Sequence, residues 1–195
     1  MITDCPQTVD KIIDRIPGKT NAEGLTYLCE LARTELADVP GFIIELGTYW
    51  GRSTQVLAMA TLGDQHRRRI ISIDNYTEGT DAMKPEQGGQ PDFWDVQRRF
   101  KCNGRVYLLI GESDQVPRCV QGQEIAMVFI DADHHGTQLE KDILTWKRLV
   151  SKGGLMVFDD YGSKRWPAVK PIVDKYMGDW TQMGEPKGSV IAFRR

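Results

Sequence analysis

The spacing of hydrophobic positions along the chain changes at Gly41. Before this residue, apolar side chains recur at helical spacing, and Pro17-Gly18 interrupts the pattern, which predicts two helices between Gln7 and Leu36. After it, short apolar runs alternate with helical stretches, an order typical of βαβ units and a mainly parallel sheet. The pattern therefore predicts an α/β protein whose N-terminal helices, within residues 1–38, pack on a sheet.

Individual elements follow from the same pattern. Five apolar runs are expected to form parallel strands, namely Phe42–Leu46, Ile70–Ile73, Val106–Ile110, Ile125–Ile130 and Leu155–Phe158. Four further helices are expected between or directly after them, at Thr54–Leu62, Phe93–Lys101, Gln138–Val150 and Ala168–Met177. The tail adds two predicted strands, Trp180–Met183 and Ser189–Phe193, which a connection containing glycine and proline would join as a hairpin.

Length and charge narrow the classes of protein that fit. A chain of 195 residues suits a single domain over residues 1–195 and can bury roughly 70% of the surface that its unfolded form exposes. The net charge of −2 argues against a broad attraction to phosphate backbones, so a nucleic-acid partner is not expected. The basic run Arg67–Arg69 is expected to be a solvated turn.

Features of membrane and secreted proteins are not found in the sequence. No apolar run approaches the roughly 20 residues needed to span a bilayer, and the N-terminus lacks the apolar core of a signal peptide. The four cysteines form no CxxC pair, so reduced thiols are the expectation. These observations predict a cytoplasmic protein without a membrane partner.

A strand followed by a glycine turn and a helix stands at Glu45–Thr54. Gly47 and Gly51 let the backbone turn tightly and approach a ligand, and Ser53 is expected to cap the helix that follows. The spacing is GxxxG rather than GxGxxG, which lowers the case for a nicotinamide dinucleotide.

Acidic and polar residues come near or directly after the ends of several predicted strands: Glu45, Asp74, Glu112, Asp131 and Asp159. Ligands of open parallel sheets bind outside the carboxyl ends of the strands, so these residues are expected around one site. Asp74 is predicted to accept hydrogen bonds from ribose hydroxyls, with a helix-capping role as the alternative. Glu112 is expected farther along the same edge, near an adenine ring.

A polar segment at Tyr76–Asp92 contains three glycines and two prolines but few apolar residues. A loop of this length inside a compact domain is usually functional or disordered. The segment is interpreted as a lid over the substrate, with a plain surface excursion as the alternative.

Taken together, the motifs ELGTYWGRST, IDNY, IGES, FIDADHHG and GGLMVFDDYG resemble those of class I S-adenosylmethionine-dependent methyltransferases. More narrowly they resemble the metal-dependent sugar and macrolide O-methyltransferases and, more distantly, catechol O-methyltransferase. The resemblance covers roughly Phe42–Val173. It implies a Rossmann-like three-layer sandwich with strand order 3-2-1-4-5-7-6 and an antiparallel last strand.

The resemblance also implies the roles of individual residues toward S-adenosylmethionine. The methionine part would be surrounded by Glu45, Gly47, Thr48, Gly51 and Ser53, the ribose held by Asp74, and the adenine met by Glu112 and Ser113. The methyl group would emerge beside Asp131.

Three or four carboxylates are expected to converge at Asp131, Asp133 and Asp159-Asp160, because the strands that carry them are neighbours in the implied order. Such crowding raises carboxyl pKa values unless a cation offsets it, and oxygen ligands suit Mg²⁺ first, with Ca²⁺ or Mn²⁺ as alternatives. In the metal-dependent relatives the ion is held by the residues that match Asp131, Asp159 and Asp160. A metal-free enzyme, in which these acids are caps and loop residues, is the alternative.

The proposed reaction is methyl transfer to a hydroxyl of a small molecule that chelates the ion. Asp133 or His134 would take the proton, since the sugar branch uses an acid at the Asp133 position and the catechol branch a lysine at the His134 position. His135 is expected to be an ordinary loop residue.

Two other functions fit part of the sequence. Asp131-Ala132-Asp133 matches the DxD motif of metal-dependent glycosyltransferases, although that reading leaves the glycine turn unexplained. A non-catalytic S-adenosylmethionine-binding module is the other alternative. The acceptor and the oligomeric state, including a homodimer, stay open.

Overall fold

A seven-stranded sheet forms the centre of the computed structural model, which describes residues 4–77 and 89–195. Its strands are β1 (Phe42–Leu46), β2 (Ile70–Asp74), β3 (Val106–Ile110), β4 (Ile125–Ile130), β5 (Val150–Phe158), β6 (Thr181–Gln182) and β7 (Ile191–Arg194). They lie in the order 3-2-1-4-5-7-6. The first five are parallel, whereas β7 is antiparallel to both β5 and β6. The predicted fold class and strand order are confirmed.

Helices cover both faces of this sheet. They are α1 (Cys5–Ile13), α2 (Ala22–Glu30), α3 (Arg52–Ala60), α4 (Phe93–Phe100), α5 (Gly136–Trp146) and α6 (Val169–Met177), with a π-helical turn at Leu31–Glu35 and a 3₁₀ turn at Val116–Val120. Alternate strand residues enter two separate cores: Ile43 lies with α1–α3, and Ile44 lies with α5 and α6. This alternation, which follows from the pleat of a strand, produces the predicted three layers.

The boundary between α5 and β5 differs from the sequence prediction. The helix was expected to reach Val150, but it ends at Trp146, and Val150 already pairs with Ile125 of β4. The register then shifts, so that the next paired residues are Met127 and Leu155. Hydrogen bonding to β4 thus takes Val150 into the sheet, and the pairing of β5 with β4 is irregular between these two positions.

Arg68 corrects another expectation. The run Arg67–Arg69 was predicted to be solvated, but Arg68 is only 2% exposed. Its Nε donates a hydrogen bond to Asp64 at 2.7 Å, and an Nη atom donates to the Leu36 carbonyl at 2.9 Å. A guanidinium can be buried when such partners compensate its charge.

Of the described helices, none is long and apolar enough to cross a membrane.

Candidate active site

The carboxyl ends of the parallel strands surround a cavity of about 440 Å³ in the described part of the chain. Most of the predicted site residues line it, namely Gly47, Thr48, Ser53, Asp74, Glu112, Ser113, Asp131, Asp133, His134 and Asp160. Glu45, Gly51 and Asp159 do not line it. Residues from five strand ends therefore meet at one edge, as expected for an open parallel sheet.

The glycine turn after β1 brings two strand ends into contact. Gly47 has a φ of 94°, and a Cβ added there would lie 2.0 Å from the Asp131 carbonyl oxygen. Gly51, with a φ of 78°, begins α3 at its N-cap position. The prediction that Ser53 caps this helix is wrong, because α3 begins at Arg52 and has no side-chain cap. Glycine is required here because other residues rarely adopt these conformations or fit so close to a backbone.

Asp74 at the end of β2 is held by backbone groups on both sides. One carboxylate oxygen accepts a hydrogen bond from the Tyr49 amide at 2.8 Å, and the other accepts one from the Tyr76 amide at 2.8 Å. The neighbouring Asn75 amide group donates to Glu112 Oε1 at 3.3 Å. This geometry fixes two carboxylates at the same side of the cavity, each with lone pairs left to accept hydrogen bonds from a ligand.

Ser113, which follows β3 and lines the cavity, is held by a buried acid that the sequence analysis did not single out. Asp142 of α5 is fully buried and accepts a hydrogen bond from Ser113 Oγ at 2.5 Å and from Gln138 Nε2 at 3.2 Å. Burial raises its pKa to about 6. Gln138 and Asp142 share one face of a helix in sequence, but only the fold shows that this face meets Ser113.

Glu45 lies beneath the glycine turn and is completely buried. Its Oε2 accepts hydrogen bonds from Thr54 and from Ser72, the latter at 2.5 Å, whereas Oε1 has no hydrogen-bond partner. Burial raises the pKa of this carboxyl to about 7, although the neighbouring hydroxyls oppose the shift. Glu45 therefore links the end of β1 to α3 and β2 through these hydrogen bonds and does not line the cavity.

A Glu45→Gln variant is expected to be more stable than the wild type at pH 8.5, by roughly 1–3 kcal/mol. The raised pKa favours the neutral carboxyl in the folded state. Glu45 therefore contributes less to the free energy of unfolding as the pH rises from 4.5, the ordinary pKa of this carboxyl, through about 7. Glutamine is uncharged at every pH. Thermal unfolding at pH 5 and pH 8.5 checks this, and an equal effect at both values would contradict it.

An imidazole lies between two carboxylates in the cavity. His134 Nε2 is 2.9 Å from Asp160 Oδ2 and 3.7 Å from Asp131 Oδ1, without the geometry of a hydrogen bond. Burial lowers the pKa of His134, but these carboxylates outweigh it and raise the pKa to about 10. One ligand atom from each of the three residues lies within 4.8 Å of the others, a spacing that can hold a metal ion. The ring also stacks on Trp166, with centroids 5.1 Å apart.

The two consecutive acids after β5 lie in different environments. Asp160, with a φ of 54°, faces the cavity, while Asp159 is only 4% exposed. Asp159 Oδ1 accepts hydrogen bonds from Ser189 and from the Asp160 amide. Burial and then the charge of Asp131 raise the pKa of Asp159 to about 7. Burial, together with the nearby Asp131 carboxylate, thus raises a carboxyl pKa at this edge of the sheet.

Asp133 and His135 form a pair at the rim. Asp133 Oδ1 lies 2.5 Å from His135 Nδ1 and accepts the His135 amide at 2.8 Å. Both side chains are at least half exposed. His134 is therefore closer to the acidic centre than Asp133 is, although sequence reasoning treated the two alike.

Residues 17–20, which precede α2, line part of the cavity. The sequence did not predict this. Thr20 Oγ1 donates a hydrogen bond to Asp131 Oδ2 at 3.0 Å. Arg52, the first residue of α3, donates to the carbonyl oxygens of Ile16 at 2.6 Å and Gly18 at 2.8 Å. Lys19 also lines the cavity. The contacts of Arg52 hold this segment, residues 16–20, at the site.

The predicted lid, Tyr76–Asp92, falls largely on residues 78–88, which lie outside the described part of the chain. Thr77 and Gln90, on either side of that gap, line the cavity. Gln90 Nε2 donates a hydrogen bond to the Thr77 carbonyl at 3.3 Å. The role of the segment as a lid stays a prediction.

Comparison with known families assigns the chain. Residues 44–161 match the model of a methyltransferase domain. The chain belongs to this methyltransferase family. The match runs from β1 to the acids after β5 and so covers the glycine turn, Asp74 and the group formed by Asp131, His134 and Asp160. The predicted resemblance to class I S-adenosylmethionine-dependent methyltransferases is confirmed.

Solved structures share the fold of this methyltransferase. The O-methyltransferase NovP superposes with a TM-score of 0.74 at 15% identity, over 98% of this chain and 99% of NovP. The calicheamicin methyltransferase CalS11 has a TM-score of 0.69 at 18% identity, over 98% and 91% of the two chains. The mycinamycin methyltransferase MycE, solved with Mg and SAH, has a TM-score of 0.63 at 12% identity, over 98% of this chain and 54% of MycE.

One curated relative is similar over a short stretch. The uncharacterized protein R132 of Acanthamoeba polyphaga mimivirus is 43% identical over 56 residues, which is 28% of this methyltransferase. The match spans 25% of the length of R132.

Proposed function

We propose that this methyltransferase transfers the methyl group of S-adenosylmethionine to a hydroxyl oxygen of a small molecule with the help of a divalent cation. The observation that carries the proposal is the Asp131–His134–Asp160 group, which lies in the same cavity as the glycine turn and Asp74. Cofactor residues and candidate metal ligands within one cavity are what metal-assisted methyl transfer requires.

The cofactor would lie along the strand ends. Asp74 would accept the ribose hydroxyls, Glu112 and Ser113 would contact the adenine, and Gly47 and Ser53 would border the methionine part. Thr48, whose Oγ1 is 2.6 Å from Ser72 Oγ, would extend that border. Glu45 and Gly51 would act indirectly by fixing the turn, because neither lines the cavity.

The residues present fit a divalent cation. The Asp131 and Asp160 carboxylates approach the same buried atom, His134 Nε2, at 3.7 Å and 2.9 Å, so their oxygens lie close enough together to hold one ion. Asp131 and Asp160 would hold the ion, with Asp159 completing the set and His134 beside it. Mg²⁺ is the first choice because carboxylate oxygens suit it, and MycE, which shares the fold, was solved with Mg. The ion would lower the pKa of the acceptor hydroxyl.

His134 is the better placed of the two candidate bases. It lies among Asp131 and Asp160, whereas Asp133 is engaged by His135 at the rim. In the reaction the acceptor oxygen bonds to the methyl carbon, the carbon–sulfur bond breaks to leave S-adenosylhomocysteine, and the hydroxyl proton passes to His134 Nε2. His134 can accept it only when Asp131 and Asp160 are otherwise engaged, since these carboxylates favour the protonated ring.

Methyl transfer in the presence and absence of a chelator tests the proposal. With radiolabelled S-adenosylmethionine and catechol or glucose derivatives as acceptors, we expect the rate to fall at least about tenfold in EDTA and to return with excess Mg²⁺. Unchanged turnover in EDTA would refute the metal role and leave methyl transfer standing.

Calorimetry tests the choice of reaction class. We expect S-adenosylhomocysteine to bind and a nucleoside diphosphate to give no comparable heat, because the family match favours methyl transfer over the glycosyltransferase alternative. Binding of S-adenosylhomocysteine without turnover on any hydroxyl acceptor would instead favour the non-catalytic binding module.

A further inference from the structure

Two hydroxyl side chains from opposite ends of the chain bind carboxylates of the proposed metal site. Thr20 Oγ1 donates a hydrogen bond to Asp131 Oδ2 at 3.0 Å. Ser189 Oγ donates one to Asp159 Oδ1. The sequence analysis gave neither hydroxyl a role at the site, because both lie far from these acids along the chain and belong to none of the motifs. Only the fold brings each hydroxyl to its carboxylate.

Thr20 is held in place by the backbone on both of its sides. Before it, the carbonyl oxygen of Gly18 accepts a hydrogen bond from Arg52 Nη1 at 2.8 Å. After it, Asn21 is the N-cap of α2, and its side chain accepts a hydrogen bond from the first turn of that helix. Thr20 itself is buried. Its hydroxyl therefore approaches Asp131 from a fixed position.

Ser189 is fixed in a similar way, in the connection between β6 and β7. Its carbonyl oxygen accepts a hydrogen bond at 2.9 Å from the amide of Tyr161, two residues after Asp159. The preceding Gly188 has a φ of 59°, and a Cβ added there would lie 2.3 Å from Asn21 Oδ1. The connection therefore packs against the start of α2, so the two hydroxyls come from segments that contact each other.

Each hydroxyl occupies one oxygen of its carboxylate and leaves the other. Asp131 Oδ2 accepts the Thr20 hydroxyl, whereas Asp131 Oδ1 is the oxygen that lies 3.7 Å from His134 Nε2. Asp159 Oδ1 accepts two donors, a hydroxyl and the Asp160 amide, the latter at 2.8 Å. A carboxylate oxygen that is turned toward a donor is less available to an ion. Both carboxylates are thus prepared to offer an ion one oxygen each.

The number of oxygens that a carboxylate offers affects the choice of ion. Ca²⁺ takes more oxygen ligands in flexible geometry and often binds both oxygens of one carboxylate. Mg²⁺ is smaller and requires nearly octahedral coordination, and the two oxygens of one carboxylate subtend too small an angle for it. Mn²⁺ shares the octahedral preference. Carboxylates that are fixed to offer one oxygen therefore favour the octahedral ions.

We infer that Thr20 and Ser189 are positioning residues that hold Asp131 and Asp159 as one-oxygen ligands and thereby select Mg²⁺ or Mn²⁺ over Ca²⁺. The inference rests on the proposed function, since it requires a divalent cation at these carboxylates. Carboxylate oxygens alone suit all three ions, so the selection comes from the hydroxyl donors. Both residues act through the carboxylates that they bind.

Titration of the full chain with Mn²⁺ tests the inference. Electron paramagnetic resonance of free Mn²⁺ gives its dissociation constant with S-adenosylhomocysteine present, and competition gives the affinities of Mg²⁺ and Ca²⁺. In Thr20→Val we expect Mn²⁺ and Mg²⁺ to bind about tenfold more weakly. Ca²⁺ should lose less affinity, because the released Asp131 carboxylate can offer both oxygens, so the preference for Mn²⁺ over Ca²⁺ should narrow. Thr20→Ser keeps the donor and should retain the wild-type preference.

Thr34→Val is the matched control, because Thr34 is exposed and its hydroxyl donates to the Glu30 carbonyl in the helical region before β1. It should change neither the affinities nor the preference. Ser189→Ala should narrow the preference independently, and it decides alone if Thr20→Val does not fold. An unchanged preference in either folded variant would overturn the inference. An equal loss of affinity for all three ions would also overturn it, since a merely structural role produces that result.

Failure of the inference and failure of the proposed function give different results. Saturable Mn²⁺ binding with a preference that neither hydroxyl controls would contradict the inference alone. The expected changes in Mn²⁺ binding without methyl transfer to any hydroxyl acceptor would contradict the proposed function alone. A wild-type protein that binds no Mn²⁺ would overturn both the inference and the metal part of the proposed function.

Discussion

An Asp131→Asn variant is expected to lose methyl transfer by about 10²–10³-fold while binding S-adenosylhomocysteine with nearly unchanged affinity. Asp131 is the carboxylate that both His134 and the segment 16–20 approach. Asparagine keeps the size of the side chain and an oxygen that can accept the Thr20 hydroxyl. It removes the negative charge that the proposed cation requires, so the loss should appear in kcat.

Two measurements separate this effect from a loss of structure. Calorimetry with S-adenosylhomocysteine reports the cofactor site, and single-turnover methyl transfer reports the chemical step. Asp38→Asn is the matched control, since Asp38 is exposed and precedes β1, away from the carboxyl edge. Retention of more than a tenth of the wild-type rate in Asp131→Asn would show that the carboxylate has no central role.

An Asp74→Asn variant is expected to bind S-adenosylmethionine about a hundredfold more weakly. Each carboxylate oxygen of Asp74 already accepts one backbone amide and has a lone pair directed to other donors. Two ribose hydroxyls would donate to this carboxylate. Asparagine replaces one of these acceptor oxygens by a donor and removes the charge, so both hydrogen bonds to ribose are weakened.

The measurement is the dissociation constant of S-adenosylhomocysteine, together with kcat at saturating S-adenosylmethionine. The affinity should fall while kcat changes by less than about tenfold, because Asp74 is not placed at the reacting atoms. Asp10→Asn, an exposed change on α1, controls for charge. An affinity within twofold of the wild type would remove Asp74 from the ribose site.

The structure also shows why neighbouring acids in the sequence differ in chemistry. Asp159 and Asp160 are adjacent, but Asp159 faces the interior with a pKa near 7, while Asp160 turns into the cavity through a left-handed backbone conformation. The prediction that both hold a metal treated them as one unit. Their separate environments make Asp160 the more accessible ligand.

The sequence by itself determined the elements of the fold and the edge that carries the site. Apolar runs and helical spacing reflect local hydrogen bonding and burial on one face, so they predicted the strands and most helices. Gly47 and Gly51 were recognisable because their backbone conformations exclude most other residues. Asp74 and Asp131 were recognisable because they directly follow apolar strands.

Only the tertiary structure decided which side chains reach the cavity and which remain below it. Glu45 is enclosed by α3 and β2, and Val150 leaves its predicted helix to pair with β4. Thr20 meets Asp131 across 111 positions of chain, and Lys19 arrives beside it. Local patterns cannot encode such contacts, because they depend on how separately formed elements pack against one another.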